Sequence, residues 1–474
     1  MEVEAPRASF GALPLIAIAC GAFIFAHDFV AVGIAIPEIQ AEFGTALGTA
    51  QWAITGFSIA IAIAVVPAGR FADIFGPANT FVIGAFGFAA ASGLVAIAPE
   101  VWVVLAGRAL QGIGAGVMWI SAIPLVFTAF GPGRAGPAGA FLIGIAGIGT
   151  ALGPIDAGLL IEWLGWRAAF AFNIPFCIFA GLVMMRHRSL GVAGAERAID
   201  WTGIGVLAAS LVILLVTLRY APEWGWGSAR AIAGFGAAAA LMAAFALQQR
   251  AKGSGALIPP DIRANRRFAV SFAGEALLGM SYFAVVGLAP QIFANVLGVD
   301  SIEAGLMLAP SMAAFAVAAA VTGHFNRDLP AQILVPAVGA IAALGGLLLA
   351  LMPDDPSYLS MLPGLLLVGA GTGGVFSSLV SFGVGSLPEE RGGIAGGLLY
   401  MSQLSGGAIG LGAITAVVTE VAAGVAVEDF PGAALVQGVQ SGFLLAAAFG
   451  AVGVLVVLFG YGVYARRAAP AEPA

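Results

Sequence analysis

The sequence predicts an all-α polytopic membrane protein of fourteen transmembrane helices, and three observations carry the prediction. Of 474 residues, 60% are hydrophobic and only 9% are charged, against roughly a quarter charged in a soluble globular chain. The apolar residues fall into fourteen runs bounded by charged or turn residues, each near the ~20 residues that cross a ~30 Å hydrocarbon layer. Basic residues collect on alternate connections between the runs, as they do where positive charge is retained on the cytoplasmic side. The runs must be helices, because a backbone N–H or C=O in hydrocarbon has no water to bond and must pair within its own segment. The 68 glycines then read as places where helix backbones approach closely.

The first run, Leu13–Ile36, is longer than a signal-peptide core, contains His27 and Asp28 and has no cleavage site, so it is expected to remain in the protein. Trp52–Ala68, Phe81–Ile97, Val103–Phe127, Ala138–Leu160 and Ala168–Met185 complete a block of six. Trp201–Leu218 and Ala231–Leu247 form a central pair. Phe268–Phe293, Ala304–Val321, Ala331–Leu351, Leu359–Val384, Ile394–Val418 and Phe443–Tyr461 make a second six. The expected division is residues 1–190 for a first six-helix bundle, 191–255 for two inserted linker helices and 256–474 for a second bundle.

With a cytoplasmic N-terminus, fifteen of the nineteen basic residues fall in inside segments, and only Arg167, Arg219 and Arg230 fall outside, Arg108 being within a helix. Both termini are therefore expected in the cytoplasm. The net charge of −6 comes largely from outward loop acids such as Glu38, Glu42, Asp354 and Asp355, which read as solvated charge rather than as a cation-collecting surface. An internal repeat links Val32-Gly33-Ile34-Ala35-Ile36-Pro37-Glu38-Ile39 in the first helix to Val286-Gly287-Leu288-Ala289-Pro290-Gln291-Ile292 in the ninth. Equivalent placement in two six-helix blocks is what duplicated transporter halves give, with a site between them near the bilayer midplane.

Several chemistries are excluded. The single lysine, Lys252, is followed by glycine and lacks the Ser or Thr of a phosphate loop. His27, His187 and His324 are too scattered for a zinc-protease pair, so neither a metal nor a cofactor is expected. Cys20 and Cys177 sit inside apolar runs and build no disulfide framework. Gly369-Ala370-Gly371-Thr372-Gly373 has no strand before it and reads as helix packing, not as a dinucleotide loop. Nothing in the chain suggests an enzyme or a nucleic-acid partner.

The informative residues are the ionisable groups inside apolar runs, since a charge at the centre of a membrane helix costs ~2.5–3.5 kcal/mol on insertion scales. Asp28 in the first helix and Arg108 in the fourth lie at similar depth, within ~5 Å of each other along the membrane normal at 1.5 Å rise per residue. They are expected to pair, either as a proton-exchanging couple or as a static buried ion pair. Glu275 shares a helical face with Ser271, Gly279 and Tyr282, a polar stripe suggesting a cavity wall, where it would meet a cationic substrate, a proton, or only a packing neighbour. Asp156 shares a face with Gly149 and Gly153, expected to pack on another helix, and its role is left between substrate and proton. Trp119, deep in the fourth helix, is a candidate stacking surface for a flat cationic or lipophilic ligand.

These residues resemble the major facilitator superfamily, and within it the fourteen-helix branch of drug:proton antiporters. Gly69-Arg70-Phe71-Ala72-Asp73-Ile74-Phe75-Gly76 is similar to the family's gating loop between helices 2 and 3, with Pro77, Ala78 and Asn79 where basic residues are usual. Arg108-Ala109-Leu110-Gln111-Gly112-Ile113-Gly114 resembles the helix 4 motif whose arginine is implicated in proton transfer. Gly149, Gly153, Pro154 and Gly158 resemble the antiporter motif of helix 5, with Ala157 where glycine is usual and Asp156 where an apolar residue is usual. Asp28 with Ile36-Pro37, and Gly165-Trp166-Arg167 with Asn173-Ile174-Pro175, match signatures of helices 1 and 6.

The resemblance implies the major facilitator fold and a proton-coupled exporter of drug-like or antibiotic-like amphipathic compounds in a bacterial cytoplasmic membrane, working by alternating access, as a monomer. Asp28, Arg108 and Glu275 would couple protons, and Glu275, Asp156, Trp119 and Tyr282 would meet substrate. The other readings are a symporter or uniporter of an endogenous metabolite, and a membrane receptor or scaffold that transports nothing. The carrier mechanism further expects these ionisable groups to face a wet path between the bundles.

Overall fold

The computed structural model describes residues 11–130, 135–190, 200–326, 329–388, 391–424 and 432–468. Among them are fourteen helices long and apolar enough to cross a membrane. They are α1 (Ala12–Phe43), α2 (Trp52–Phe75), α3 (Pro77–Ala96), α4 (Val101–Phe130), α5 (Ala135–Leu164), α6 (Trp166–Arg186, with a hitch at Phe172), α7 (Trp201–Trp224) and α8 (Ala229–Lys252). α9 (Arg266–Asn295), α10 (Ser301–Phe325), α11 (Ala331–Ala350), α12 (Tyr358–Val384), α13 (Gly392–Ala423) and α14 (Ala433–Ala468) follow.

Every expected helix is present, and most are longer than the apolar pattern predicts. The pattern ends the first helix before Pro37, whereas α1 runs through Pro37 and stops at Gly44, whose φ of 58° is left-handed. Proline is tolerated there because neighbouring helices, rather than water, surround the freed carbonyl. Between the second and third helices a loop is expected. The observed connection is one residue, Gly76, at φ 84°, with Pro77 opening α3 at a position where its missing N–H costs nothing. The gating segment Gly69 to Phe75 is therefore helical, and the side chains of Arg70 and Asp73 lie outside the described residues.

α1 to α6 pack together as one bundle and α9 to α14 as another. They meet along three seams: α1 on α9, α2 on α13, and α5 on α10. The last two are the same contact exchanged between repeats, as a two-fold relation between the bundles requires. The repeated segments meet at the first seam, where Gly33 abuts the Val286 carbonyl and Pro290. At the α5–α10 seam a β-carbon on Gly158 would strike the Ser301 carbonyl, and one on Gly305 would strike the Pro154 carbonyl, so the backbones touch directly.

Among the described residues the hydrogen bonds crossing between the bundles all lie at one end. Gln51 Nε2 donates to the Gly287 carbonyl at 3.2 Å, Thr415 Oγ1 donates to Gln51 Oε1, and the Ser301 N–H donates to Glu162 at 3.3 Å. The inserted pair α7–α8 leans on the α2–α13 seam and reaches both bundles at the same end, with Arg219 donating to Thr49 at 3.2 Å and Trp226 donating to Glu420 at 2.5 Å. At its other end Asp200 caps α7 through the Gly203 N–H and binds Lys252 at 2.5 Å. Burial works against the Asp200 charge, but Lys252, the Gly203 N–H and Gln249 together hold its pKa below the usual carboxylate range.

The backbone contact at the α5–α10 seam is testable. Gly305→Val is expected to cost at least about 1–3 kcal/mol of stability through overpacking and to stop transport. Gly396→Ala, where an added methyl meets open space, should change neither. The check is thermal unfolding in detergent together with transport in vesicles. A Gly305→Val protein that melts and transports like the parent would mean the helices do not approach this closely in the working protein.

Candidate functional site

The interior of the first bundle converges on one guanidinium. Arg108 is fully buried, and its Nη1 donates to Asp28 Oδ2 at 2.5 Å and to Gln111 Oε1 at 2.9 Å, while its Nε donates to the Ala53 carbonyl at 2.8 Å. Its carbon lies 4.0 Å from the centroid of the Phe57 ring and 5.4 Å from that of Phe170. Asp28, 2% exposed, takes a second hydrogen bond from Asn173 Nδ2 at 2.6 Å, and Gln111 donates onward to Ser92 at 2.7 Å. Groups from α1, α2, α3, α4 and α6 thus share one network. Gly112 lets α4 close onto α2, because a β-carbon there would strike the Phe57 carbonyl.

The structure brings Asp28 and Arg108 together as their depth suggests. The sequence reading missed Gln111 and Ser92 as members of the network, and it treated Asn173 only as part of a signature. All three are polar residues inside apolar runs, the same signal that singled out Asp28, but an amide or hydroxyl is common enough in membrane helices to pass unnoticed.

Glu275 is different. It is fully buried, and neither carboxylate oxygen has a hydrogen-bond partner. The expected cavity-wall stripe is corrected here. Ser271 bonds the Tyr461 hydroxyl of α14 at 2.7 Å, and Gly279 lies against the Gln403 carbonyl of α13, so both face neighbouring helices rather than a cavity. The stripe exists because each of those helices needs a small or polar contact, and helical spacing cannot distinguish that need from a wet wall.

Tyr282, one position of that stripe, joins an aromatic chain across the bundles. Trp119 stacks on Phe25 with ring centroids 4.7 Å apart and lies 6.0 Å from Tyr400. Tyr400 leads to Phe376 at 6.2 Å, Phe376 to Phe315 at 6.2 Å, Phe315 to Tyr282 at 4.9 Å, and Tyr282 back to Phe29 of α1 at 6.3 Å. Trp119, Tyr400, Phe376 and Phe315 are half-buried, and the chain of rings crosses between the bundles at Trp119–Tyr400 and at Tyr282–Phe29. The ionisable groups expected on a wet path are instead sealed: Asp28, Arg108 and Glu275 are all buried.

The face shared by Gly149, Gly153 and Asp156 packs on α1, where β-carbons on the two glycines would crowd the backbone at Phe23 and His27. Asp156 Oδ1 accepts a hydrogen bond from the Ala157 N–H and meets His27 Nε2, both at 2.9 Å. His27 was not anticipated, since a lone histidine in an apolar run carries no sequence sign of its partner. Pro154 and Gly158, on the opposite side of α5, contact α10.

The buried pair predicts its own energetics. Arg108→Ala leaves Asp28 without its cation and is expected to cost about 3–5 kcal/mol of stability. Adding Asp28→Asn should recover part of that loss, a coupling read by a double-mutant cycle on unfolding in detergent. Equal instability of the single and double variants would show that the two groups do not depend on each other.

Residues 18–411 match the Major Facilitator Superfamily. The tetracenomycin C resistance and export protein of Streptomyces glaucescens is 32% identical over 406 residues, which cover 84% of this chain and 74% of that protein. A puromycin resistance protein of Streptomyces alboniger is 30% identical over 461 residues, covering 95% of this chain and 90% of its own length. Among solved structures, a bacterial homologue of the human lysosomal transporter Spinster, inward-facing and unoccupied, superposes with a TM-score of 0.71 over 98% of this chain and 99% of that chain at 14% identity, a likeness of fold alone. A match over most of the chain, two relatives at this level and fourteen membrane helices, twelve in two bundles and two between them, lead to one conclusion: the chain belongs to the Major Facilitator Superfamily and is a transport protein of the membrane, not an enzyme.

Proposed function

We propose that the chain exports amphipathic, antibiotic-like compounds from a bacterial cytoplasm in exchange for protons, by alternating access between its two bundles. The observation that carries the reading is the buried Asp28, held at once by Arg108 and Asn173. An ion pair in hydrocarbon cannot open unless the charge left behind is neutralised. A proton on Asp28 does this and frees Arg108, and re-formation of the pair expels the proton. Export and substrate class are supported by the tetracenomycin C and puromycin resistance proteins among the relatives. Both termini would then be cytoplasmic, a reading the distribution of basic residues supports, and a monomer suffices because both bundles lie in one chain.

The chain of rings suits such a cargo. Trp119, Tyr400, Phe376, Phe315 and Tyr282 would offer flat apolar faces from both bundles, and Glu275 a carboxyl for a cationic group, once the bundles part. In the sealed form the neutral acid is the state that an unpartnered site tolerates.

In everted membrane vesicles, uptake of puromycin or a similar amphipathic cation is expected to collapse when the pH gradient is dissipated, and Asp28→Asn should bind the compound but no longer accumulate it. Accumulation indifferent to the gradient, or an unimpaired Asp28→Asn, contradicts the coupling. Glu275→Met tests the second acid, since an apolar side chain of similar length removes two unsatisfied buried oxygens. Stability should rise by about 1–3 kcal/mol while transport of cations falls at least tenfold and that of neutral compounds is retained. A loss of stability, or cation transport equal to the parent's, would remove Glu275 from the substrate site.

A further inference from the structure

We infer that Tyr400 and Gln403, on one face of α13, form the neutral hydrogen-bonding part of the cargo site, and that the cargo is a flat, multi-ring compound with carbonyl and hydroxyl oxygens on its rim. The inference rests on the export reading above and names the chemistry of what is carried. Tyr400 stands where the rings cross between the bundles. Its ring centroid lies 5.8 Å from that of Phe25 on α1, 6.0 Å from that of Trp119 on α4 and 6.2 Å from that of Phe376 on α12. It is half-buried, and its hydroxyl has no hydrogen-bond partner among the described residues.

Gln403 follows three residues later, on the same side of the helix. It is 8% exposed, and its amide likewise has no partner among the described residues. One turn further on, Gly407 lies against the ring of Phe283, which meets Phe29 of α1 at 5.1 Å. The amide is therefore bracketed by two places at which aromatic rings join the bundles. Hydroxyls close by in the chain are already used: Tyr282 donates to Met312 Sδ at 3.4 Å, and Ser402 to the Phe272 carbonyl at 2.6 Å. A phenol and an amide left unpaired between helices are costly, and a ligand that bonds both removes the cost.

The free donors and acceptors define the ligand. A phenol donates to a carbonyl oxygen or accepts from a hydroxyl, and the Gln403 amide does both at once through Nε2 and Oε1. Rings from both bundles require a flat body. A carbonyl beside a hydroxyl on the edge of a fused aromatic system meets all of these demands. Glu275 stands at a similar depth, because α9 and α13 run side by side with Phe272 bonded to Ser402, Ala276 against Gly406 and Gly279 against the Gln403 carbonyl. An amine on the ligand is thus left to the carboxyl, and the rim oxygens to Tyr400 and Gln403.

Two cationic probes separate this chemistry from general cation binding: daunorubicin, a flat amine with quinone and phenol oxygens, and tetraphenylphosphonium, which carries rings but no hydrogen-bonding atom. Binding of each to the purified full-length protein is measured by equilibrium dialysis. Tyr400→Phe and Gln403→Met are each expected to weaken daunorubicin at least about threefold, and the double variant about tenfold, while tetraphenylphosphonium changes by less than about twofold. Thermal unfolding of Tyr400→Phe should match or exceed the parent's, since the hydroxyl holds no partner in the fold. A lower unfolding temperature would mean that the hydroxyl is bonded within the protein, and overturns the proposal. Daunorubicin affinity equal to the parent's, or weakened in step with tetraphenylphosphonium, overturns it as well.

In everted vesicles, the parent protein should accumulate daunorubicin in response to a pH gradient, and the double variant should need about tenfold more compound for the same initial rate. Vesicles of the parent that accumulate neither probe would instead contradict the export reading, with the dialysis ratio still deciding whether Tyr400 and Gln403 hold the ligand.

Discussion

A charge in hydrocarbon must be answered where it stands, and the first bundle is organised around one such answer. Arg108 brings a planar donor fork into a place without water, and α1, α2, α4 and α6 surround it with Asp28, Gln111, the Ala53 carbonyl and the faces of Phe57 and Phe170. Such a pair adds little net stability, because the desolvation of both ions offsets most of their attraction. Its consequence is conditional. While both partners are charged they hold α1 against α4, and once one is neutralised the reason for the contact disappears. An apolar pair of equal volume would hold the same helices more firmly and could not be released by a proton.

The second bundle obeys the same constraint differently. Among the described residues, its buried acid, Glu275, has no donor on either oxygen. A group in that position costs free energy in the closed form, and the cost is recovered only when something reaches it. The bundles related by the internal repeat are therefore chemically unequal: one stores an ion pair, the other an acid whose oxygens have no partner among the described residues. Between them runs the chain of rings from Trp119 to Tyr282 and Phe29, and a π face offers area without demanding a fixed pattern of donors.

How much of this the sequence disclosed depends on what hydropathy can carry. Fourteen helices were legible because twenty apolar residues have one structural meaning in a bilayer. The meeting of Asp28 and Arg108 was legible because two opposite charges at one depth have few other fates. Gly369, Gly371 and Gly373 pack against the backbones of Ser311, Ala342 and Phe315, as expected of small residues in α12. Helix ends were less legible, since Pro37 breaks helices in water and not necessarily in lipid. Least legible was direction. The stripe Ser271, Glu275, Gly279 and Tyr282 has one period but several destinations, and neither His27 nor Asp156 reveals its partner, because each contact spans more than a hundred residues of chain.

The two seams exchanged by the repeat are built from different materials, and that difference bears on how the bundles can rock. At α5–α10 the backbones touch through Gly158 and Gly305, and one hydrogen bond, from the Ser301 N–H to Glu162, crosses the seam. At α2–α13 the closure is made by side chains, with Gln51 bridging Gly287 and Thr415, and the inserted helices add Arg219 on Thr49 and Trp226 on Glu420. Such bonds at the membrane edge can be exchanged for bonds to water at small net cost. If the bundles rock as proposed, the first seam would serve as a bearing and the second as a latch. The inserted pair, standing beside the latch rather than the bearing, adds contacts that hold one end closed without stiffening the surface on which the bundles turn.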